Sequence, residues 1–284
     1  MVTQHDTIHS LAVGAWGDVK TFKTTLGFSF PTPMVHFDFD LGFKRAANRI
    51  PSDWKVLELA FGTALEAGHL MQGYDLITKS YLIPIRFPRQ PVKGLLDLWT
   101  GQIIPDLLLC IQAPHIKSLL LDTGTIMWAI DKDAQLERAQ QSAGQKGGTR
   151  VNLTEMEYSI PNQEMRALLS AARGYGKNLY MPHHVGGKYV TGPDGASQRI
   201  GDTWDGWRHL GAIIDVIVQT KRHTEITPGP VGSLPTTTVT PAILVETCGY
   251  TLRVEGQTLF NPTYDILLSN IVAGRALDNF EQGV

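Results

Sequence analysis

The segment Gly17-Asp18-Val19-Lys20-Thr21-Phe22-Lys23-Thr24 opens on a glycine and closes on a lysine and a hydroxyl. That spacing suits the binding of a phosphate chain. Such a chain needs inward-turned backbone N–H groups at a helix start, a lysine for the terminal phosphates and a hydroxyl for magnesium. Lys23 and Thr24 fill the last two places, Thr25 offers a second hydroxyl, and Lys20 adds a positive charge within the loop. Phe22 stands where the motif has a glycine before its lysine. Its backbone must therefore adopt an angle that glycine takes freely, with the ring directed away from the phosphates. Phe22 bears more on turnover than on binding.

Three further groups of residues complement this loop. Leu119-Leu-Leu-Asp122 is an apolar run ended by a carboxylate, followed by Thr123-Gly-Thr125. A carboxylate there can organise magnesium and its waters, or simply cap the next turn. Asp38 and Asp40 lie two apart, which in a strand puts them on one face with Phe37, Phe39 and Leu41 on the other. Side-by-side carboxylates suit the orientation of a water, and at a solvated strand end they are also ordinary. His183 and His184 follow the apolar stretch Asn178–Met181. They suit a polar sensor facing a terminal phosphate, a zinc half-site with His209, or plain structural histidines.

The elements that must position these residues alternate along the chain. Strands are predicted at Ile8–Val13, Met34–Asp40, Val56–Leu59, Ile116–Leu121, Asn178–Met181 and Ile213–Gln219. Helices are predicted at Lys23–Phe30, Gly94–Leu109 (interrupted or restarted at Pro105) and Ile160–Arg173. Ala242–Val254 and Gln257–Leu259 read as a terminal β-hairpin turning at Glu255-Gly256. Two polar, Gly- or Thr/Pro-rich stretches, near 131–158 and 224–241, read as mobile loops within one domain spanning 1–284.

Composition narrows the function classes. With 43% hydrophobic and 18% charged residues the chain has the make-up of an ordinary globular α/β protein. A net charge of −2 gives no global attraction for nucleic acid, so any such site must be a local patch. Cys110 and Cys248, each alone, exclude a disulfide scaffold and a thiolate zinc site. The start of the chain lacks the pattern of a signal peptide and no apolar run reaches membrane length, so a cytoplasmic location is expected.

In this order the motifs resemble those of the RecA-like P-loop ATPases, and most of all the short phage-encoded members grouped with AAA-family or single-strand-annealing-associated ATPases. The resemblance runs from about Ile8 to Ile271 and is carried by Gly17–Thr25, His36–Asp40, Leu119–Thr125, Asn178–His184, Ala212–Arg222 and Cys248 through Pro262. It implies a three-layer RecA-like fold with a mainly parallel central sheet and a C-terminal β-hairpin. It implies ATP and Mg2+ as ligands, with Asp122 at the Walker B position, Asp40 orienting the attacking water, and His183 or His184 as the sensor. It further implies a ring or filament of identical subunits in which Lys221 or Arg222 completes a neighbour's site. Single-stranded DNA and a single-strand-binding or annealing protein follow as partners, in recombination or replication within a phage host's cytoplasm. Lys132, Arg138, Lys146 and Arg150, with Arg89 in a second segment, are the basic residues available to DNA, although no aromatic platform accompanies them. Two other functions are open. One is a nucleotide-binding assembly protein that does not hydrolyse. The other is a metal-dependent nuclease built on Asp38, Asp40 and Asp122, which leaves Gly17–Thr24 without a role.

Overall fold

The computed structural model describes residues 8–50, 54–58, 78–86, 93–144, 151–192, 195–228 and 234–281. Short apolar runs set the centre. β1 (Ala12–Trp16), β2 (Met34–Asp38) and β5 (Ser118–Asp122) are buried at every position, as strands covered on both faces must be. With β3 (Lys55–Glu58), β4 (Thr78–Pro84), β6 (Asn178–Thr191) and β8 (Val216–Thr227) they form a parallel array in the order β8-β1-β6-β5-β2-β4-β3. β9 (Thr236–Cys248) and β10 (Thr258–Phe260) extend the β8 edge antiparallel, and β7 (Ser197–Asp205) pairs antiparallel with β6.

Side-chain alternation splits the core into two layers across this sheet. Val35, Phe37, Leu119, Leu121, Leu179 and Met181 point to one face. There they meet α3 (Leu95–Leu98), α4 (Ile104–Gln112), α5 (Gly124–Gly144) and α6 (Ser159–Gly174), a π-helical turn at Trp99–Ile103 joining the first two. Val13, Met34, Leu120, Tyr180 and Val218 point to the other face, under α1 (Lys23–Gly27) and α7 (Tyr264–Glu281). α2 (Phe43–Ala46) is a single turn after β2. This is the mainly parallel, three-layer α/β architecture expected from the sequence. Asn178 ties its base together, its Oδ1 accepting from Leu11 N–H at 2.9 Å and from the Tyr264 hydroxyl at 2.8 Å.

Several expectations change. The stretch near 131–158 is helical to Gly144, because α5 keeps a buried stripe of Met127, Ile130, Ala134 and Ala139 beneath its polar face. The stretch near 224–241 is largely a two-stranded ribbon, with Thr224–Thr227 pairing with Thr236–Val239. Threonine is at home there, since an exposed ladder needs β-branched residues and no core face. The terminal hairpin exists, but a 3-10 turn at Leu252–Val254 lengthens its connection. α7 went unread in the sequence. Arg89, Lys146 and Arg150 lie outside the described residues. No described helix is long and apolar enough to cross a membrane.

Candidate functional site

β1 delivers the chain to the carboxyl edge of the sheet, and Gly17 turns it back over that edge with a φ of 151°. A side chain at Gly17 would strike the hydroxyl and carbonyl of Thr220 on β8 at 2.4 and 2.5 Å, so glycine is required by packing as well as by angle. Lys20 and Phe22 are both left-handed, with φ of 63° and 66°. Phe22 thus takes the glycine-like angle that its place before Lys23 demanded. α1 begins at Lys23, and being only five residues long it adds little macrodipole. Any anion held there would draw on loop N–H groups and Lys23. α1 sits close to the sheet through Gly27, where a Cβ would meet Leu120 and Tyr180 at 2.9 Å.

The carboxylates arrive from the neighbouring strands. Asp38 and Asp122 are register partners on β2 and β5, and alternation sends both to the α1 face. The Thr24 hydroxyl donates to Asp122 Oδ2 at 2.7 Å. Lys23 Nζ folds onto its own loop, donating to the carbonyls of Gly17 at 2.6 Å and Asp18 at 2.7 Å. Burial holds the Lys23 ammonium below its usual pKa, opposed by the negative charges of Asp122, Asp18 and Asp40. Lys23, Thr24, Asp122 and Asp40 therefore share one electrostatic neighbourhood. Tyr180 braces it from below, its hydroxyl donating to Lys23 O at 2.7 Å.

Asp38 and Asp40 do not form the side-by-side pair that strand spacing implied, because β2 ends at Asp38. Asp38 turns back to accept from the N–H groups of Gly42 at 2.8 Å and Phe43 at 3.1 Å. Burial raises its pKa, partly countered by His36 and those two N–H groups. Asp40 lies one turn on, with Oδ2 against Arg45 at 3.1 Å and Oδ1 buried with no hydrogen-bond partner among the described residues. Among the described residues no three His, Cys, Asp or Glu side chains gather as a metal cluster. The carboxylate triad of a nuclease is not assembled.

The histidines part company. His183 shares its face with Met181, so it points toward the long helices, away from α1. Its ring packs where a Cβ on Gly124 would sit, with Nδ1 3.2 Å from the Asp205 carbonyl. Burial lowers its pKa to about 4. The N–H of His184 donates to Thr125 Oγ1 at 2.9 Å, and that hydroxyl in turn donates to the Asp205 carbonyl, fastening the β6–β7 ribbon beside Asp122. Lys221 and Arg222 face opposite ways on β8. Arg222 reaches the loop of its own chain, with Nε 2.9 Å and Nη2 2.7 Å from the Lys20 carbonyl. Beside that contact lies a cavity of about 630 Å³ whose walls include Trp16, Lys20, Val185, Gln219 and Lys221.

Sequence reasoning gave no separate role to His36, although it is fully buried with Nε2 3.6 Å from Asp122 Oδ2. Its signal was available: alternation in Met34–Asp38 puts His36 on the same face as Asp38. Thr220 was missed as well, and as one threonine in a strand it offered no such signal.

No protein-family model matches this chain, and no curated protein is recognisably similar to it. Among solved structures it is similar to the KaiC-like protein PH0186 of the hyperthermophilic archaeon Pyrococcus horikoshii OT3, at 10% identity over 87% of this chain and 83% of that one, with a TM-score of 0.38. What the site is able to do rests on its own geometry.

Proposed function

We propose that this chain binds ATP with Mg2+ at Gly17–Thr24 and hydrolyses it. One observation carries the reading: the hydroxyl directly after the loop lysine meets the strand-end carboxylate, Thr24 Oγ1 to Asp122 Oδ2 at 2.7 Å. Residues 98 apart in sequence are brought to this contact. One hydroxyl and one carboxylate fit Mg2+, which takes few protein ligands and fills its shell with phosphate oxygens and water. Thr24 and Asp122 would hold the ion, and it would neutralise charge on the phosphates.

The remaining chemistry falls to the chain's own groups. Lys23 must exchange the carbonyls of Gly17 and Asp18 for phosphate oxygens, a trade of neutral acceptors for charged ones. Asp40 keeps one buried oxygen that accepts no hydrogen bond from the described residues, and that oxygen is our candidate to orient the attacking water. His183 and His184 connect this edge to the β6–β7 ribbon through Asp205 and Thr125, a route by which the state of the phosphates would reach the ribbon.

A second reading has its own support. Phe22 is held left-handed and Lys23 is tied to its own loop, so the site could bind nucleotide without turning it over. Coupling to single-stranded DNA, within a ring or filament of copies, is the finer form of the first reading. It rests on the resemblance and on Lys132 and Arg138 of α5 alone.

Phosphate release from ATP, with and without Mg2+ and single-stranded DNA, separates these readings. Wild type is expected to turn over and Lys23→Ala to lose turnover and about 100-fold in affinity, the value of a few charge-assisted hydrogen bonds. Binding without turnover under every condition selects the second reading. Binding unaffected by Lys23→Ala rejects both.

A further inference from the structure

Two residues of β8, both outside the phosphate loop, hold that loop from its outer side. Thr220 and Arg222 are two apart, so they project from the same face of the strand. Thr220 grips the base of the loop. Its Oγ1 lies 3.1 Å from the Trp16 carbonyl and 2.7 Å from the Thr21 hydroxyl, and it fills the space beside Gly17. Arg222 grips the crown. Nε and Nη2 both donate to the Lys20 carbonyl, and Nη2 also lies 3.4 Å from the Val19 carbonyl.

The consequence follows from the geometry of the peptide unit. In a trans peptide the C=O and N–H bonds point in opposite directions. The Val19 carbonyl shares its plane with the N–H of Lys20, and the Lys20 carbonyl with the N–H of Thr21. An arginine that draws both carbonyls toward β8 turns the N–H groups of the same peptides away from β8. Among the described residues the Lys20 N–H has no acceptor, and Thr21 N–H closes the turn over Asp18–Thr21, on the Asp18 carbonyl that Lys23 Nζ also meets. Successive backbone donors turned to one side of a loop are what an anion requires.

We propose that Arg222 is a positioning residue of the nucleotide site, fixing the Lys20 N–H and the Asp18–Thr21 turn for the phosphates of a nucleoside triphosphate bound to the same chain. This rests on the reading of Gly17–Thr24 as a nucleotide site, and it gives Arg222 a place in its own subunit in contrast to one in a neighbour's site. The forked guanidinium matters as well as the charge, since Nε and Nη2 act together on the crown of the loop, which one ammonium does less well.

The test is calorimetric titration of the full chain with Mg-ATP and, separately, with inorganic tripolyphosphate. Arg222→Ala and Arg222→Lys are each expected to lose about tenfold in affinity for both ligands, the value of one to two kcal-scale hydrogen bonds. The charge-matched control Arg166→Ala, on the exposed face of α6, is expected to lose less than twofold. Methylguanidinium added to Arg222→Ala is expected to restore most of the loss, which it would not do for a misfolded loop. Equal affinity of Arg222→Lys and wild type for both ligands overturns the proposal. So does a loss in Arg222→Ala confined to ATP with tripolyphosphate unaffected, since that would place Arg222 on the nucleoside. If wild type binds neither ligand and Lys23→Ala changes nothing, the nucleotide reading fails and this one with it. Should Arg222→Ala not fold, the lysine variant decides alone.

Discussion

At the scale of residues, the loop Gly17–Thr24 is governed by backbone angle. Phe22 sits at φ 66°, a conformation costing roughly 1–2 kcal/mol for a residue with a Cβ. Glycine would remove that cost and lose about as much again to its greater freedom when unfolded. Phe22→Gly is therefore expected to leave stability within about 1 kcal/mol of wild type. Phe22→Val, β-branched at a left-handed position, is expected to fall at least about 1 kcal/mol below Phe22→Gly. Urea midpoints for the two variants give the ranking, and a valine variant as stable as the glycine one would contradict the angle as the controlling term. His183 makes a second residue-level case. Its folded pKa of about 4 lies below the ordinary 6.5, so the unfolded chain binds the extra proton between those values. The stabilising contribution is complete above pH 6.5 and is lost as pH falls toward 4, by at most about 3 kcal/mol. Exchanging the imidazole for an amide in His183→Gln should flatten the stability curve over that window, whatever it does to stability at pH 8.

At the scale of elements, legibility followed burial. β1, β2 and β5 were readable because strands covered on both faces are short apolar runs, and Asp122 was readable because it ends one. Thr24 and Lys23 were readable from spacing alone. The ribbons β6–β7 and β8–β9 were not, since their outer halves are exposed on both sides and leave no alternating pattern. Asp40 was assigned a strand position that the turn capped by Asp38 takes away, a contest between side-chain acceptor and ladder that periodicity does not encode. α7 escaped because its buried line of Tyr264, Leu267 and Ile271 is thin amid polar neighbours. The outer helices carry a prediction of their own. Asp131 of α5 is buried against Glu164 of α6, which also accepts from Trp99 Nε1 at 2.7 Å. Burial first, then the Glu164 charge, raises the Asp131 pKa to about 9. Stability from keeping that proton is complete below pH 4 and declines as pH rises toward 9. Asp131→Asn keeps an N–H donor for Glu164 without an ionisable proton. Its stability relative to wild type should grow from pH 5 to pH 8, as thermal denaturation would show, and a constant difference would mean that the fold does not hold a proton on Asp131 in that window.

At the scale of the whole molecule, Lys23, Asp122 and Arg222 reach one edge of a single sheet from α1, β5 and β8, elements far apart in sequence. The proposed binding at that edge would therefore reinforce the fold and not merely order a loop. A ligand that binds only the folded chain stabilises it by about 2.7 kcal/mol at 100 times its dissociation constant. For a domain of this size each kcal/mol moves the melting temperature by roughly 2–4 °C, so saturating Mg-ATP should raise it by about 5–10 °C. Lys23→Ala, binding about 100-fold more weakly, should rise by only about 1–2 °C at the same ligand concentration. The same experiment followed by hydrogen exchange locates the effect. Protection is expected to increase in Gly17–Thr24, at Asp122 and along the inner half of β8, the three segments that meet in the structure. It is expected to stay unchanged at the base of the sheet, where Asn178 already joins Leu11 to Tyr264. Protection confined to Gly17–Thr24 would mean that the loop closes on phosphate by itself, with β8 a bystander. Protection that extends into β8 would mean that the sheet edge and the loop form one binding unit.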